Sequence, residues 1–374
     1  MIGLKRFIRI YRKLRKFKQG IKSKKSVFTG PLFVQIGPCD VCNYRCIMCY
    51  PHSDSFKGKT AYAENWGEFK DRGMMGFGAF ERLIKEFREM NVERVHLCGI
   101  GEPFLHPDIL KMVACVKIAG LWCGLTTNGS LLDQKKIEDL VDFGLDSLHI
   151  SINAGYEDTY KQIIMLTSAA SLENLKHKIL ELKDIKNKNK RSIPHLSIGF
   201  VLFNKNYLEI QSMVEFAMQV NADAIIFKHA NLEKETLHLA LEKEQYRHIM
   251  QTLIRIKKKI KKPLIHYEEL RIIRDRYLDM PRTYKIIRCY IGWFFSRVLA
   301  NGDVVSCCSE NRVLGNINKN NFKEIWYSQN YNSFRQESCL LGKEIETVSG
   351  CNCLQCGNIL HNVKLNKILR FVWV

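Results

Sequence analysis

The run of ~20 apolar residues that a membrane-spanning helix requires is missing from this 374-residue chain. Missing too, at its start, is the succession of basic, apolar and small-residue stretches that marks a secretory leader. The expectation is a chain that works in a reducing cytosol. No internal repeat or low-complexity tract appears, which sets repeat architectures aside. Acidic residues are absent from positions 1 to 25, where eleven Lys or Arg stand. That segment holds more than half of the net charge of +20. The charge therefore argues for a local surface contact, not for a protein coated in positive potential.

Hydrophobic residues make up 46% of the chain, enough for a substantial core. The length suits one large domain and a smaller one. The 14 cysteines are unevenly placed: four lie between Cys39 and Cys49, and seven lie from Cys289 onward. In a reducing compartment, clustered cysteines more often bind metal than form disulfides. Two metal sites at opposite ends of the chain would produce this distribution.

Leu4, Phe7, Tyr11, Leu14 and Ile21 recur at near-helical spacing, with Lys5, Arg6, Arg9, Arg12, Lys13 and Lys16 between them. This pattern predicts a basic amphipathic helix. Two readings stand for it. The helix lies on an anionic membrane surface, or it packs its stripe on the main body. The tail from Ile368 to Val374 either supports the same contact or forms a final strand.

From residue 31 the chain alternates between strand and helix patterns. Strands are expected at Phe33 to Ile36, Val95 to Cys98, Cys123 to Thr127, Ser147 to Ile152, Leu196 to Phe203 and Ala224 to Lys228. Helices are expected at Phe80 to Met90, Pro107 to about Ala119, Gln134 to Phe143, near Tyr156, and Tyr207 to Val220. Six strands alternating with helices imply a parallel α/β architecture with right-handed crossovers. A ligand site would lie at the carboxyl ends of the strands. The lysine-rich run from Lys183 to Arg191 reads as an exposed loop, and Arg255 to Lys262 as a solvated helix face.

The chemistry concentrates at strand ends. Cys42-Asn43-Tyr44-Arg45-Cys46-Ile47-Met48-Cys49 is a CxxxCxxC just after the first strand. Three thiolates suit three corners of a cubane cluster and leave a fourth iron open to a substrate. Cys39 extends the run to a form that also suits a four-cysteine zinc site or a closed cluster. After the second strand comes Cys98-Gly99-Ile100-Gly101-Glu102-Pro103. Its glycines permit close backbone approach, and Glu102 can accept charge-assisted hydrogen bonds from an ammonium; an ordinary Gly-Pro turn is the alternative. Thr126-Thr127-Asn128-Gly129 follows the third strand, and Ser151-Ile152-Asn153-Ala154 follows the fourth. Cys98, Cys115 and Cys123 stand in apolar surroundings and read as core residues.

These four motifs, in this order and at these strand ends, resemble the signature of the radical S-adenosylmethionine (SAM) superfamily. The resemblance covers roughly residues 31 to 230. It implies a partial (β/α)6 TIM-like barrel with the cysteine loop after the first strand. It also implies a [4Fe-4S] cluster on Cys42, Cys46 and Cys49, with Met48 the hydrophobic residue before the last ligand and Cys39 a neighbour. SAM would chelate the open iron. Gly99, Gly101, Glu102 and Pro103 would receive its amino group, and Asn128, Ser151 and Asn153 its ribose and carboxylate. The strand around Gly199 to Leu202 would lie against adenine. The family often has Asp where Asn153 stands; an amide still bonds a hydroxyl but lacks the stronger carboxylate acceptor.

The second group of cysteines begins with Cys289, then Gly302 and Cys307-Cys308, the last reached through a hairpin-like turn. Leu314 to Ile317, Phe322 to Trp326, and Cys351-Asn352-Cys353-Leu354-Gln355-Cys356 follow. This resembles the SPASM extension, a small cysteine-rich domain that carries auxiliary clusters. The full pattern has a further cysteine after the last group, and this chain has none beyond Cys356. The resemblance implies one auxiliary [4Fe-4S] cluster on Cys289, Cys307, Cys353 and Cys356. Cys308, Cys339 and Cys351 are alternates, and a zinc ribbon is the competing reading.

The expected organisation is a basic segment over 1–30, the barrel over 31–230, a helical linker over 231–282, the auxiliary-cluster domain over 283–360, and a tail over 361–374. The resemblance implies an enzyme that cleaves SAM reductively to a 5′-deoxyadenosyl radical, supplied by an electron donor such as flavodoxin or ferredoxin. The basic segment stands where a peptide-recognition module would be. That tilts the substrate toward a sugar or lipid-linked cell-surface precursor, with a peptide- or protein-modifying maturase as the alternative. Molybdenum-cofactor synthesis ranks lower, because the terminal Gly-Arg-Arg of that family is missing. A zinc-binding nucleic-acid protein ranks lower still, since the charge sits away from both cysteine groups. The expected location is the cytoplasm, with peripheral contact at the inner face of the membrane.

Overall fold

The computed structural model describes residues 2–50, 52–58, 73–165, 171–268, 270, 284, 287–307, 312–351, 353, 356 and 358–372. The chain opens with helix α1 (Ile2–Ser23). Strand β1 (Phe33–Ile36) follows, and its alternation sends Val34 and Ile36 into the core. The chain then alternates: α2 (Phe77–Glu89), β2 (Arg94–Leu97), α3 (Ile109–Ile118), β3 (Trp122–Thr127), α4 (Gln134–Asp142) and β4 (Ser147–Ser151). Next come α5 (Glu157–Ile164), α6 (Leu172–Lys188), β5 (His195–Leu202), α7 (Ile210–Gln219), β6 (Ala224–His229), α8 (Lys243–Lys259) and β7 (Leu264–His266). The last part holds α9 (Ile291–Phe294), β8 (Phe295–Val298), β9 (Asp303–Val305), β10 (Gly315–Asn316), α10 (Phe322–Tyr327), α11 (Gln329–Leu340) and α12 (Ile359–Arg370).

Local chemistry sets the helix limits. Asp133 accepts the Lys136 N–H at the start of α4, and Ser171 accepts the Asn174 N–H at the start of α6, so each satisfies an otherwise orphaned donor. Helices α3 and α4 are each followed by a left-handed glycine, Gly120 and Gly144, both at φ +74°. Phe80, Leu83, Ile84 and Phe87 of α2 are all buried, as their spacing predicts.

One sheet runs in the order β10-β9-β8-β1-β2-β3-β4-β5-β6-β7. Every pair from β8 through β1 to β7 is parallel, and β9 and β10 add an antiparallel margin. The six expected strands are all present, and four more extend the sheet, β7 on one side and β8, β9 and β10 on the other. Strand β7 lies within the segment read as a helical linker; three residues are too few to show a period. Strand β8, from the cysteine-rich part, pairs with β1, so that part extends the sheet of the barrel.

Two expectations change, and one of the two readings of α1 gains support. The lysine-rich run near residue 185 is not a loop, because α6 extends to Lys188 and buries Leu182 and Ile185. The tail is not a strand, because α12 continues to Arg370; Trp373 and Val374 lie outside the described residues. The second half of α1 packs on the body. Phe17 is fully buried, Ile21 is buried, and Lys13 donates from Nζ to the Pro31 carbonyl at 2.9 Å. Arg12, Arg15 and Lys16 stay exposed.

The cysteine-rich part is cemented by a buried cation. Arg335 lies 4.7 Å from the Trp326 ring and 4.6 Å from the Tyr331 ring, and donates to the Gly292 and Trp326 carbonyls at 2.7 and 2.8 Å.

Candidate functional site

The loop after β1 is clamped from several directions before any sulfur is considered. Gly37 donates to Val298 O on β8, and Asp40 to Gly73 O. Arg45 and Ile47 donate to the carbonyls of Ile164 and Ile163 at the end of α5. The Tyr44 and Tyr160 hydroxyls meet at 3.1 Å, and Arg45 pairs with Asp54 at 3.1 Å. Within the loop, Cys49 N–H donates to Cys46 O at 2.8 Å and Tyr44 N–H to the Cys42 sulfur at 3.4 Å. Cys42, Cys46, Met48 and Cys49 are half-buried there.

Cys46 feels both of the other thiols, and Cys42 feels Cys49. Burial first, then Cys49 and Cys42, push the Cys46 thiol well above its ordinary value. Burial, with Cys49 and Glu102 adding to it, pushes Cys42 up to about 12. Burial also raises Cys49. Three thiols held this way are poor anions until a soft metal cation replaces their protons. Cys39 is different. It is fully buried, and its sulfur donates to Glu102 O at 3.1 Å, so it knits two loops together as a neutral thiol.

Gly99 and Gly101 serve that same junction. A Cβ on Gly101 would lie 2.0 Å from Val41 O, and one on Gly99 would lie 2.9 Å from Cys39 O. The glycines make room for the cysteine loop itself. Glu102 N–H then donates to Val41 O at 2.7 Å. The Glu102 carboxylate is buried, with Oε1 accepting from Thr127 Oγ1 at 2.6 Å and Phe104 N–H at 3.1 Å, and Oε2 accepting from Asn128 N–H at 2.7 Å. Burial raises its pKa, against those three donors. Three of about four acceptor positions are filled, leaving room for one more donor such as an ammonium. Pro103 begins a buried turn at Pro103–Leu105 behind it.

Asn128 is committed to the protein. Its Nδ2 donates to Asn43 Oδ1 at 2.9 Å, Asn43 Nδ2 donates to Ser130 Oγ at 2.9 Å, and Ser130 Oγ donates back to Asn128 Oδ1 at 2.6 Å. This ring locks the cysteine loop to the end of β3. Sequence reasoning missed Asn43, Ser130 and Thr127, although Asn43 stands inside the cysteine motif. Asn153 uses Oδ1 to accept Val201 N–H at 2.9 Å, joining the end of β4 to β5 and leaving its NH2 as donor. Ser151 is half-buried at the end of β4.

The second cysteine group also converges. Burial first, then Cys356, Cys307 and Cys353, pushes the Cys289 thiol well above its ordinary range. The sulfurs of Cys307 and Cys351 lie 3.7 Å apart, and contacts with Cys307 and Cys353 push Cys351 strongly upward. Cys351 therefore stands among the four expected ligands, not aside from them. Cys356 receives the Tyr284 hydroxyl at 2.8 Å, and Asn362 Nδ2 backs that hydroxyl at 3.1 Å. Cys339 is elsewhere, with its sulfur 3.7 Å from Lys24 O. Cys308 lies outside the described residues. Cys123 is fully buried as expected, whereas Cys98 and Cys115 are only half-buried.

Comparison with known proteins identifies the two parts of the chain that carry these cysteine groups. The model of the radical SAM superfamily matches residues 36–217, and that of SPASM, an iron-sulfur cluster-binding domain, matches residues 289–357. The chain belongs to the radical SAM superfamily and carries a SPASM domain. Such domains make it an enzyme and imply [4Fe-4S] clusters and SAM as cofactors. The chain is 23% identical over 189 residues to the tungsten-containing aldehyde ferredoxin oxidoreductase cofactor-modifying protein of Pyrococcus furiosus, covering 50% of this chain and about half (48%) of that protein. It is 25% identical over 285 residues to a probable GTP 3′,8-cyclase of Thermococcus kodakarensis, covering 73% of this chain and 83% of that one. Among solved structures, Streptococcus suis SuiB bound to S-adenosylmethionine superposes with a TM-score of 0.67 at 15% identity, over 91% of this chain and 75% of SuiB. That likeness is one of fold.

Proposed function

We propose that this chain holds a [4Fe-4S] cluster on Cys42, Cys46 and Cys49 and cleaves SAM reductively there. The observation that carries the reading is the short loop that brings three half-buried thiols together, pinned by backbone bonds to β8 and α5. With SAM bound, such a cluster supplies one-electron cleavage of the sulfonium to a carbon radical that takes hydrogen from a substrate. Glu102 would offer its remaining acceptor position to the SAM ammonium, with Met48, Gly99, Gly101 and Pro103 shaping the turn around it. The Asn153 NH2 and the Ser151 hydroxyl would face the ribose, while Asn128 would act by keeping the cysteine loop in place. Anaerobic reconstitution with iron and sulfide counting, followed by a dithionite-driven assay for 5′-deoxyadenosine, tests this. Zinc without deoxyadenosine overturns it.

An auxiliary [4Fe-4S] cluster is assigned to Cys289, Cys307, Cys353 and Cys356, with Cys351 close enough to substitute for one of them. The working division places the barrel over 31–230 and the auxiliary part over 283–360, between a basic segment at 1–30 and a tail at 361–374. The segment 231–282 joins the two through α8 and β7. An electron donor of the flavodoxin or ferredoxin type would reduce the chain.

For the substrate, the reading is a sugar or lipid-linked cell-surface precursor. It is supported by the exposed basic face of α1 and the exposed Phe371 beside it, where Lys18 Nζ donates to Val372 O. Together they suit peripheral contact with an anionic membrane from the cytoplasmic side.

A further inference from the structure

Strands β1 to β8 contain no Asp or Glu. Gln35, His96, His149, Ser197, Lys228 and Arg297 face the inside of the curved sheet, because the residues that alternate with them, such as Val34, Val95, Leu148, Ile198, Phe227 and Val298, are fully buried on the helix side. On that inner face His96 bonds Thr126 Oγ1 at 2.7 Å, and His149 bonds Ser197 Oγ at 2.8 Å. Gly124 and Gly199 leave room for the two rings: a Cβ there would meet the imidazoles at 2.5 and 2.3 Å.

Lys228 stands at the carboxyl end of β6, and its charge reaches His149 on β4, His96 on β2 and His361 on α12. Measured along the sheet, β6 and β2 would be about 19 Å apart at ~4.8 Å per strand. The coupling therefore runs across the lumen. Arg297 on β8 pairs in register with Gln35 on the same inner face, and its Nε is buried without a hydrogen-bond partner. Its charge also reaches Asp40 in the cysteine loop. Glu102, the carboxylate at the mouth, is already occupied by Thr127, Phe104 and Asn128. The strand walls thus present two cations, Arg297 half-buried and Lys228 exposed at the strand end, with neutral hydrogen-bonding groups and no acid.

We infer that the lumen is an oxyanion site, in which Lys228 and Arg297 receive a phosphate or carboxylate group of the substrate while His96 and His149 bond its hydroxyls. This rests on the reading that the substrate enters the lumen beside SAM. A buried guanidinium donor with no partner is costly to leave so, and a bound oxyanion satisfies it. Neutral imidazoles can donate and accept toward hydroxyls without adding charge.

The test is calorimetric titration of the reconstituted holoenzyme at 150 mM salt, where exposed charges are largely screened. The probes are inorganic pyrophosphate, succinate and uncharged glycerol. Binding of pyrophosphate or succinate should weaken at least tenfold in Lys228→Gln and in Arg297→Gln, recover in part in Arg297→Lys, and stay unchanged in Lys261→Gln on the exposed surface. Tighter pyrophosphate points to a phosphorylated substrate, and tighter succinate to a carboxylated one. Binding of neither anion, or equal binding by wild type and Lys228→Gln, overturns the site. Iron, sulfide and deoxyadenosine are read on the same preparations. If these are normal while anion binding fails, the oxyanion site alone falls. If anion binding persists without deoxyadenosine, the radical reading falls.

Discussion

Asn43 and Asn128 meet side chain to side chain at 2.9 Å, 85 residues apart in the chain. One belongs to the cysteine loop and the other to the end of β3, and Ser130 closes the ring between them. The loop that carries the three thiols is therefore positioned by amides that carry no chemistry of their own.

Replacing Cys42, Cys46 or Cys49 by Ala should abolish deoxyadenosine formation and lower iron by about four per chain. Cys39→Ala should keep both, because its sulfur is committed to the Glu102 carbonyl. Substantial cleavage by any of the first three variants contradicts the ligand assignment. Iron loss in the fourth revives a four-cysteine site.

Glu102→Gln removes a charge-assisted acceptor and also disturbs the Thr127 and Asn128 contacts. SAM affinity should fall about tenfold to a hundredfold, as expected for a hydrogen bond worth ~1.5–3 kcal/mol. Asn128→Ala acts through position, so it should lower cluster retention more than it lowers SAM affinity in the loaded fraction. Equilibrium dialysis of SAM beside iron counting separates the two.

At the second site, Cys353→Ala or Cys356→Ala should bring iron from about eight to about four per chain, with the first cluster intact. Cys351→Ala is the informative variant. Full iron retention leaves Cys289, Cys307, Cys353 and Cys356 as the ligands. Loss of about four irons puts Cys351 in place of one of them.

His96 and His149 have folded pKa values lowered to about 4 and about 3, chiefly by burial, with the Lys228 charge adding to it. An unfolded histidine titrates near 6.5. Between pH ~6.5 and ~4 the unfolded chain binds protons that the folded chain refuses. Their contribution is intact above pH ~6.5 and is lost as pH falls, by up to about 1.4 kcal/mol per pH unit for each. Urea midpoints at pH 7 and pH 5 should therefore diverge less in the His96→Gln/His149→Gln double variant than in the wild type. An unchanged difference would show that other groups set the acid sensitivity.

The membrane reading needs a variant that spares the core. Phe17 and Lys13 are buried, so deleting α1 would strip the body of packing. Reversing the exposed Arg12, Arg15 and Lys16 to Glu should instead cut binding to vesicles rich in anionic lipid by more than tenfold, at roughly 1 kcal/mol per residue. SAM cleavage should be unaffected. Unchanged vesicle binding removes membrane contact from the account.

Spacing alone made the cysteine motif legible, since Cys42, Cys46 and Cys49 share one short loop and their ligand geometry is local. The alternation of Val34 and Ile36, and the stripe of Phe80, Leu83, Ile84 and Phe87, likewise placed strands and helices, because burial imposes periods of two and 3.6 on neighbouring residues. The sequence by itself thus determined the parallel α/β class and the superfamily, and it picked out both groups of cysteines. Only the tertiary structure decided what long-range contacts decide: that β8 returns from residue 295 to pair with β1, that α1 buries Phe17 and Ile21 on the body, and that Cys351 joins the second group. It alone put Lys228, Arg297, His96 and His149 on one face of the curved sheet, because strand pairing gathers residues that no local period connects.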